Sequence, residues 1–399
     1  MAGADIAYLL VCTGLVFIMT PGLALFYGGL LRKKNVISMY AMCFVSITVV
    51  GLLWFILGYS LAFSPDILNG FLGGLNFFAL AGITTGYYPI YSTEIPHLLF
   101  IVFQMMFAII TVAIIASPFV ERVKFSSFML YIALWLLLIY APIAHWVWGA
   151  GGWLKDLGAL DFAGGTVVHV NAGFSALAIA VVIKPRRGYQ KEPMEPSNIP
   201  SVLLGTGLLM LGWFGFNGGS ALLANETAVL AMFNTMLAAC AAGFIWLILF
   251  WAKTGKASTL ALATGILAGL VAVTPAAGFV EPWAALVIGM GASAICFFAL
   301  RLRSKSQIDE SLDAWSVHGV GGIWGAIAVG IFAAVGATGL ITGNPGQILI
   351  QLVGVLGTMG YAFGVSLALA WILKKTIGLR VSPEEEYLGL DITQHGEKI

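Results

Sequence analysis

Long runs of apolar residues alternate along this chain with short segments that carry almost all of its charge. Eleven runs are long enough to cross about 30 Å of hydrocarbon, which takes roughly 20 helical residues. They lie at about 6–31, 36–63, 96–119, 126–148, 163–183, 198–222, 227–252, 258–279, 281–300, 314–335 and 348–373. The pattern therefore predicts an all-α polytopic membrane protein with eleven transmembrane helices.

The composition supports a chain embedded in a lipid bilayer. Of its 399 residues, 60% are hydrophobic and 9% are charged, whereas soluble domains carry about 25% charged residues. Residues 1–373 are predicted to form the transmembrane domain, and 374–399 a cytoplasmic tail too short for a catalytic domain. The sequence contains no nucleophile–base pair and no cofactor motif. We therefore expect neither an enzyme nor a cofactor nor a nucleic-acid partner.

The basic residues collect on one side of the membrane when the eleven spans are threaded in order. The positive-inside rule makes that side cytoplasmic, so the N-terminus is predicted outside the cell membrane and the C-terminus inside. Of the 19 Lys and Arg residues, Lys155 alone falls on the outer side. The inner side carries Arg32, Lys33, Lys34, Arg122, Lys124, Lys184, Arg186, Arg187, Lys191, Lys253, Lys256, Arg301, Arg303, Lys305, Lys374, Lys375, Arg380 and Lys398.

An internal repeat is suggested by two Val-His pairs in matching settings. His169 in the fifth span and His318 in the tenth are both followed by small residues at plus three, plus four and plus seven. Spans 1–5 (about 6–183) and 6–10 (about 198–335) are then related halves, and an odd number of spans per half makes them inverted. Inverted repeats place the substrate site at their interface near the midplane. The last span, 348–373, lies outside the repeat as a bracing helix.

The two histidines are the main candidates for function, since ionisable residues inside a membrane usually mark a transport path or proton relay. Two adjacent neutral imidazoles can share a hydrogen bond, with one donating and the other accepting. A pair of structural histidines, each bonded to a backbone carbonyl, is the plainer alternative. A metal site is a third, but two imidazoles without Cys or an intrahelical carboxylate make a poor ligand set.

Aromatic residues near the outer ends of several spans offer a second candidate. Phe107, Tyr140, Trp148, Trp213 and Phe216 either pack as ordinary apolar side chains or line a vestibule. Such a vestibule would attract a cation to its rings by about 0.5–2 kcal/mol per ring.

Two polar residues lie next to these aromatic segments. Ser220 ends a Gly-Gly-Ser turn and is able to accept a hydrogen bond, and Asp161 precedes the helix of His169. Asp161 is predicted to cap that helix near Gly164 and Gly165, with electrostatic attraction of a cation as the alternative.

Five segments together resemble one family, the ammonium transporters of the Amt/Mep/Rh superfamily, and its Amt branch in particular. The resemblance runs the full length of the chain. The segments are 145–149 (HWVWG), 161–169 (DFAGGTVVH), 212–220 (GWFGFNGGS), 313–319 (DAWSVHG) and 386–391 (EYLGLD).

The resemblance implies a homotrimer with one pore per subunit and assigns roles to the candidate residues. Trp148, Ser220 and Phe107 match an outer ammonium-recruitment site, and Phe107 and Phe216 match a stacked gate beneath it. His169 and His318 match the twin histidines of the pore. Asp161 matches the carboxylate that keeps the outer site in shape, and Tyr140 and Trp213 are expected to support the site. A PII-type nitrogen-signalling protein is the implied partner at the cytoplasmic face.

The resemblance and the cost of burying an ion together predict a mechanism. Ammonium is recruited outside and deprotonated, and ammonia passes the histidines while the proton follows separately, which makes uptake electrogenic. Two alternatives remain. One is a passive gas channel of the Rhesus type for ammonia or carbon dioxide, and the other is an ammonium sensor acting through a cytoplasmic partner.

Overall fold

The computed structural model describes residues 2–398, which fold into a helical bundle with a short helical tail. Beside the helices there are a two-stranded hairpin, β1 (Tyr87–Tyr88) with β2 (Ser92–Pro96), and a short helix at Trp153–Leu157. The bundle helices are α1 (Ala2–Leu30), α2 (36–63), α3 (His97–Ile115), α4 (125–148), α5 (Gly165–Ile183), α6 (Ile199–Gly218), α7 (Glu226–Thr254), α8 (Thr259–Val273), α9 (Pro282–Ser304), α10 (Trp315–Phe332) and α11 (Gly346–Thr376), followed by α12 (Pro383–Leu388) and α13 (Leu390–His395) in the tail.

The predicted helical membrane fold is confirmed. Ten of these helices are long and apolar enough to cross a membrane, counted over residues 2–398, and α8 is a shorter apolar helix of 15 residues. The predicted spans 96–119 and 258–279 are too long, because α3 and α8 both end early and continue as buried turns. Pro118 and Pro275 lie just beyond the two helix ends, where a proline cannot continue the hydrogen-bond ladder.

Wide turns interrupt the regular helices at several points of the bundle. In a π-helical turn the hydrogen bonds run from i to i+5, and such turns occur frequently at functional sites. One of them carries His169, another His318 and a third Phe216. In the described part of the chain these turns lie at Trp54–Gly58, Leu136–Tyr140, Gly165–Val170, Phe214–Gly218 and Trp315–Gly319.

The histidine-bearing helices α5 and α10 cross at glycines, and the two contacts are reciprocal. A Cβ atom on Gly173 would lie 2.3 Å from Gly319 Cα, and one on Gly322 would lie 3.0 Å from the backbone nitrogen of Val170. Each glycine follows its own histidine by four positions and contacts the residue after the other histidine. Inverted halves would produce this exchange of contacts, and it lets the two backbones approach closely.

A buried ion network joins the predicted cytoplasmic ends of several helices. The Glu121 carboxylate pairs with Arg32 at 3.0 Å and with Arg186 at 2.5 Å. Asp309 pairs with Arg122 at 2.6 Å and with Arg186 at 2.8 Å. Burial would raise the pKa of Asp309, but the two guanidinium groups lower it to about 2. The network therefore holds its carboxylates charged and ties four interhelical segments together.

The tail lies against this end of the bundle. The Asp391 carboxylate accepts hydrogen bonds from the backbone N–H groups of Ile37 (3.1 Å) and Ser38 (2.8 Å) at the start of α2. Arg380 pairs with the buried Glu386 at 2.6 Å. A residue of the tail thus caps a transmembrane helix more than 350 positions earlier in the chain.

Candidate functional site

A cavity of about 240 Å³ opens at the outer end of the bundle, on the side predicted to face out of the cell. Three of the residues predicted for recruitment, Phe107, Trp148 and Ser220, line it together. The hairpin segment and the short helix complete its wall. The lining residues are Phe63, Ile90, Tyr91, Phe100, Gln104, Phe107, Val147, Trp148, Lys155, Phe162, Ser220 and Leu222.

Two stacked phenyl rings close the bottom of this outer cavity. The ring centroids of Phe107 and Phe216 lie 4.2 Å apart with an interplanar angle of 28°. Both residues are buried, and Phe216 is held by the wide turn of α6. The Trp148 ring meets Phe107 edge-on, with centroids 5.9 Å apart at 89°. The Trp148 indole thus lines the cavity directly beside the closed pair of rings.

Asp161 fixes the outer wall through both its backbone and its side chain. The Trp148 indole N–H donates to the Asp161 carbonyl at 3.0 Å. The Asp161 carboxylate accepts from the backbone N–H groups of Gly164, Gly165, Thr166 and Val167 and from the Thr166 hydroxyl. Burial raises the pKa of Asp161, and these donors oppose the rise. The geometry matches the predicted cap at the start of α5.

His169 and His318 face each other directly below the phenyl rings. Their Nδ1 atoms lie 3.2 Å apart, so one Nδ1 carries a proton and the other accepts it when both rings are neutral. Nε2 of His169 is buried and has no hydrogen-bond partner among the described residues. The carbonyl-bonded alternative does not describe this pair, since their mutual contact occupies both Nδ1 atoms.

The space around the two imidazoles is narrow and apolar. It holds about 10 Å³, close to the volume that a single water-sized molecule occupies. Besides the two imidazoles, carbon-rich side chains surround it. These are Met19, Leu23, Ile110, Ile114, Val168, Leu209, Trp213, Phe216 and Leu267.

The two supporting aromatics predicted from sequence differ in position. The Trp213 ring lies nearly parallel to that of His169, with centroids 5.6 Å apart, and its indole N–H donates to the Thr274 hydroxyl at 2.9 Å. Tyr140 lies on the wide turn of α4 against Trp54 and Trp135. Tyr140 lines neither space, so its contact with the pore is indirect.

Sequence reasoning missed three residues that bring polar side-chain atoms to the outer cavity. Gln104 lines this cavity, and its buried Oε1 atom has no hydrogen-bond partner in the described structure. Tyr91 comes from the loop after β1, and Lys155 from the short helix. The amide within the apolar third span was a detectable signal, whereas no periodicity indicates which loop residues fold back over a pore.

Comparison with known proteins gives one consistent result. A profile of the Ammonium Transporter Family matches residues 7–399. Ammonium transporter Amt1 of Archaeoglobus fulgidus is 49% identical over 100% of this chain and 99% of its own length. The ammonium transporter of Bacillus subtilis is 45% identical over 100% of this chain and 98% of its own length.

Solved structures agree with the sequence relatives. The crystal structure of Saccharomyces cerevisiae Mep2 superimposes with a TM-score of 0.91 at 38% identity, covering 96% of this chain and 90% of that one. A structure named Sensor Amt Protein gives a TM-score of 0.92 at 32% identity, covering 99% and 98%. The two sequence relatives are named ammonium transporters, which are not enzymes, as the sequence predicted. The chain belongs to the ammonium transporter family.

Proposed function

We propose that this protein takes ammonium into the outer cavity, removes its proton near the Phe107–Phe216 pair and conducts ammonia past His169 and His318. The proton follows separately, which makes uptake electrogenic. One observation carries the proposal: two hydrogen-bonded imidazoles lie in a narrow apolar space under a closed pair of rings.

The outer cavity suits a small cation. The faces of Trp148 and Tyr91 attract positive charge, and the Ser220 hydroxyl oxygen keeps a free lone pair while its proton bonds the Phe216 carbonyl. The Gln104 amide oxygen has no hydrogen-bond partner within residues 2–398. These groups replace part of the hydration shell that ammonium loses on entry.

The inner space suits the neutral molecule. An intact ion placed among apolar side chains would lose several kcal/mol of solvation without a compensating charge. Ammonia loses far less, and the imidazoles offer it one lone pair and one N–H. Deprotonation above the ring pair is therefore the least costly way through.

The histidine pair also offers a route for the proton left behind. A proton arriving at one imidazole can be passed through the Nδ1–Nδ1 bond while another leaves from the second ring. A charge that crosses in this way never travels as ammonium. The residues of the outer cavity then set the selectivity for ammonium, and the histidine pair sets the current.

We also propose a homotrimer in the cell membrane, with the N-terminus outside, the tail inside and a PII-type protein as its cytoplasmic partner. The basic residues gathered at the tail end support this orientation. Large apolar side chains such as Val229 (65% exposed) and Phe233 (55% exposed) on α7 suit contact with lipid or with a neighbouring subunit.

Charge movement after an ammonium pulse tests the electrogenic mechanism. Purified protein in proteoliposomes on a supported membrane is compared with His169→Ala, His318→Ala and the control His395→Ala, whose ring lies in the tail. We expect the control to keep the current and each pore variant to lose it. Currents that persist unchanged in both pore variants would exclude the relay. A wild-type protein that moves ammonia without current would instead favour the Rhesus-type channel.

A sensor is the second candidate, favoured by the structural match to the Sensor Amt Protein. It predicts ammonium binding with no flux. Uptake of labelled methylammonium by the proteoliposomes separates the two, since a sensor alone leaves the internal label at background.

A further inference from the structure

Lys155 places a primary ammonium group at the rim of the outer cavity. Its Nζ atom donates to the Trp148 carbonyl at 3.1 Å and lies 5.8 Å from the Tyr91 ring centroid. Both partners line the cavity, and Lys155 lines it with them. It is also the one basic residue that the charge pattern assigns to the outer side.

The backbone around Lys155 is tightly fixed. A Cβ atom on Gly149 would lie 2.4 Å from His145 Nδ1, and one on Gly152 would lie 2.0 Å from the His145 carbonyl oxygen. The next residue, Trp153, donates its backbone N–H to the Gly70 carbonyl at 3.2 Å. The turn before Lys155 is therefore fixed, and the hydrogen bond from Nζ to the Trp148 carbonyl places the side chain at the cavity rim.

The contacts of Lys155 are those that a bound ammonium ion would use. A charged N–H group on a carbonyl, close to an aromatic face, combines a charge-assisted hydrogen bond with a cation–π contact. The nearby acids do not cancel its charge. The Asp161 carboxylate is occupied by five donors, Asp156 is exposed beside it, and no ion pair of Lys155 occurs among residues 2–398.

We propose that Lys155 is a tethered mimic of the substrate that weakens recruitment of ammonium and of other cations at the outer cavity. The inference rests on the recruitment role proposed above. Occupying one edge of the cavity, the ε-ammonium group repels an arriving cation and competes for the same carbonyl and ring. Lys155 thereby sets the ammonium concentration at which the transporter responds, without taking part in deprotonation or conduction.

The size of the effect follows from Coulomb's law. Two unit charges about 6 Å apart in a highly hydrated cavity interact strongly enough to change occupancy about three- to ten-fold. The Debye length is about 30 Å in 0.01 M salt and about 3 Å in 1 M salt. An effect of charge should therefore fade at high ionic strength, whereas an effect of packing should not.

The test measures the half-saturating ammonium concentration of the transport current in low and high concentrations of an impermeant salt. Lys155→Met removes the charge at nearly constant volume, Lys155→Arg keeps it, and Lys256→Met neutralises an exposed lysine on the other face. We expect Lys155→Met to lower the half-saturating concentration three- to ten-fold in low salt and by much less in high salt. The other two variants should match wild type.

Several outcomes would overturn the inference. An unchanged or raised half-saturating concentration in Lys155→Met excludes a competing charge, and an equal shift at both salt concentrations assigns the effect to packing. If the wild-type protein gives no ammonium current, the transport mechanism itself fails. That result is distinct from a normal wild-type current whose half-saturating concentration is the same in Lys155→Met.

Discussion

Two buried carboxylates precede the histidine-bearing helices, and their surroundings differ. Asp161 before α5 is surrounded by N–H donors. Glu310 before α10 accepts from the Ser117 hydroxyl and from the backbone N–H of Trp315 at 3.2 Å. Burial and the nearby Asp313 raise the pKa of Glu310 to about 7. The acids that stand eight positions before His169 and His318 are therefore held by different sets of partners.

Replacing Asp161 by Ala should destabilise the protein and abolish the transport current. The substitution leaves several buried N–H groups without an acceptor, which together cost at least about 3 kcal/mol, and it releases the start of α5. Thermal unfolding in detergent measures the loss. Asp156→Ala on the adjacent exposed helix should leave the melting temperature unchanged, and equal melting temperatures for the two variants would contradict the role of the cap.

Replacing Glu310 by Gln should change how stability depends on pH. The folded protein binds a proton at Glu310 more tightly than the unfolded chain does, so this group stabilises fully below about pH 4.5 and loses its contribution as pH rises through about 7. Melting temperatures at pH 5 and pH 8 should therefore differ less in Glu310→Gln than in wild type. An identical pH dependence would show that Glu310 titrates normally.

At the scale of elements, the glycine crossing of α5 and α10 sets the distance between the imidazoles. Gly173→Ala puts a methyl group against the Gly319 backbone, where neither helix can yield without moving its histidine. We expect a loss of about 1–3 kcal/mol and a reduced ammonium current. Gly207→Ala is the matched control, since a Cβ there meets nothing within 4 Å. A normal current in Gly173→Ala would mean that transport continues when α5 and α10 are moved apart at this crossing.

The elements were largely predictable and their interruptions were not. The length of the apolar runs and the collection of basic residues on one side located the helices, because a bilayer requires a minimum helix length and favours basic loops on the cytoplasmic side. The early ends of α3 and α8 escaped prediction because their turns are as apolar as the helices before them. The wide turns escaped too, since one additional residue leaves no trace in hydropathy.

The candidate site was predictable to the extent that polar residues interrupt apolar runs. His169, His318 and Asp161 stand out in this way, and the family resemblance added Trp148, Phe107 and Phe216. The supporting role of Tyr140 stays a prediction: it contacts Trp54 and Trp135 and lines neither space, and its position along α4 does not reveal which face the helix turns inward. Lys155 was noticed only as an exception to the charge rule.

At the scale of the whole molecule, the Asp391 carboxylate at the start of α2 is one of several contacts that hold the tail, beside the hydrogen bonds from the Leu390 N–H to Asn35 and from the Arg187 N–H to Glu386. Asp391→Ala should loosen α13, with a loss of about 1 kcal/mol and a roughly five-fold faster hydrogen exchange of α13 amides. Mass spectrometry of exchanged peptides measures this, with Glu397→Ala as the exposed control. Exchange in α5 and α10 should stay unchanged, and unaltered α13 exchange in Asp391→Ala would mean that other contacts hold the tail.

The wide turns have a consequence for how the length of this chain can vary. Each holds one residue more than an α-helical turn, so deleting a residue there would restore an ordinary helix without opening a gap in the bundle. The segments before and after the deletion would keep their orientation, while a residue of the turn itself would shift by one position, or about 100° around the helix axis. A ring or imidazole carried by that turn would no longer face its partner. A chain shortened by a single residue could thus keep its fold and lose its pore.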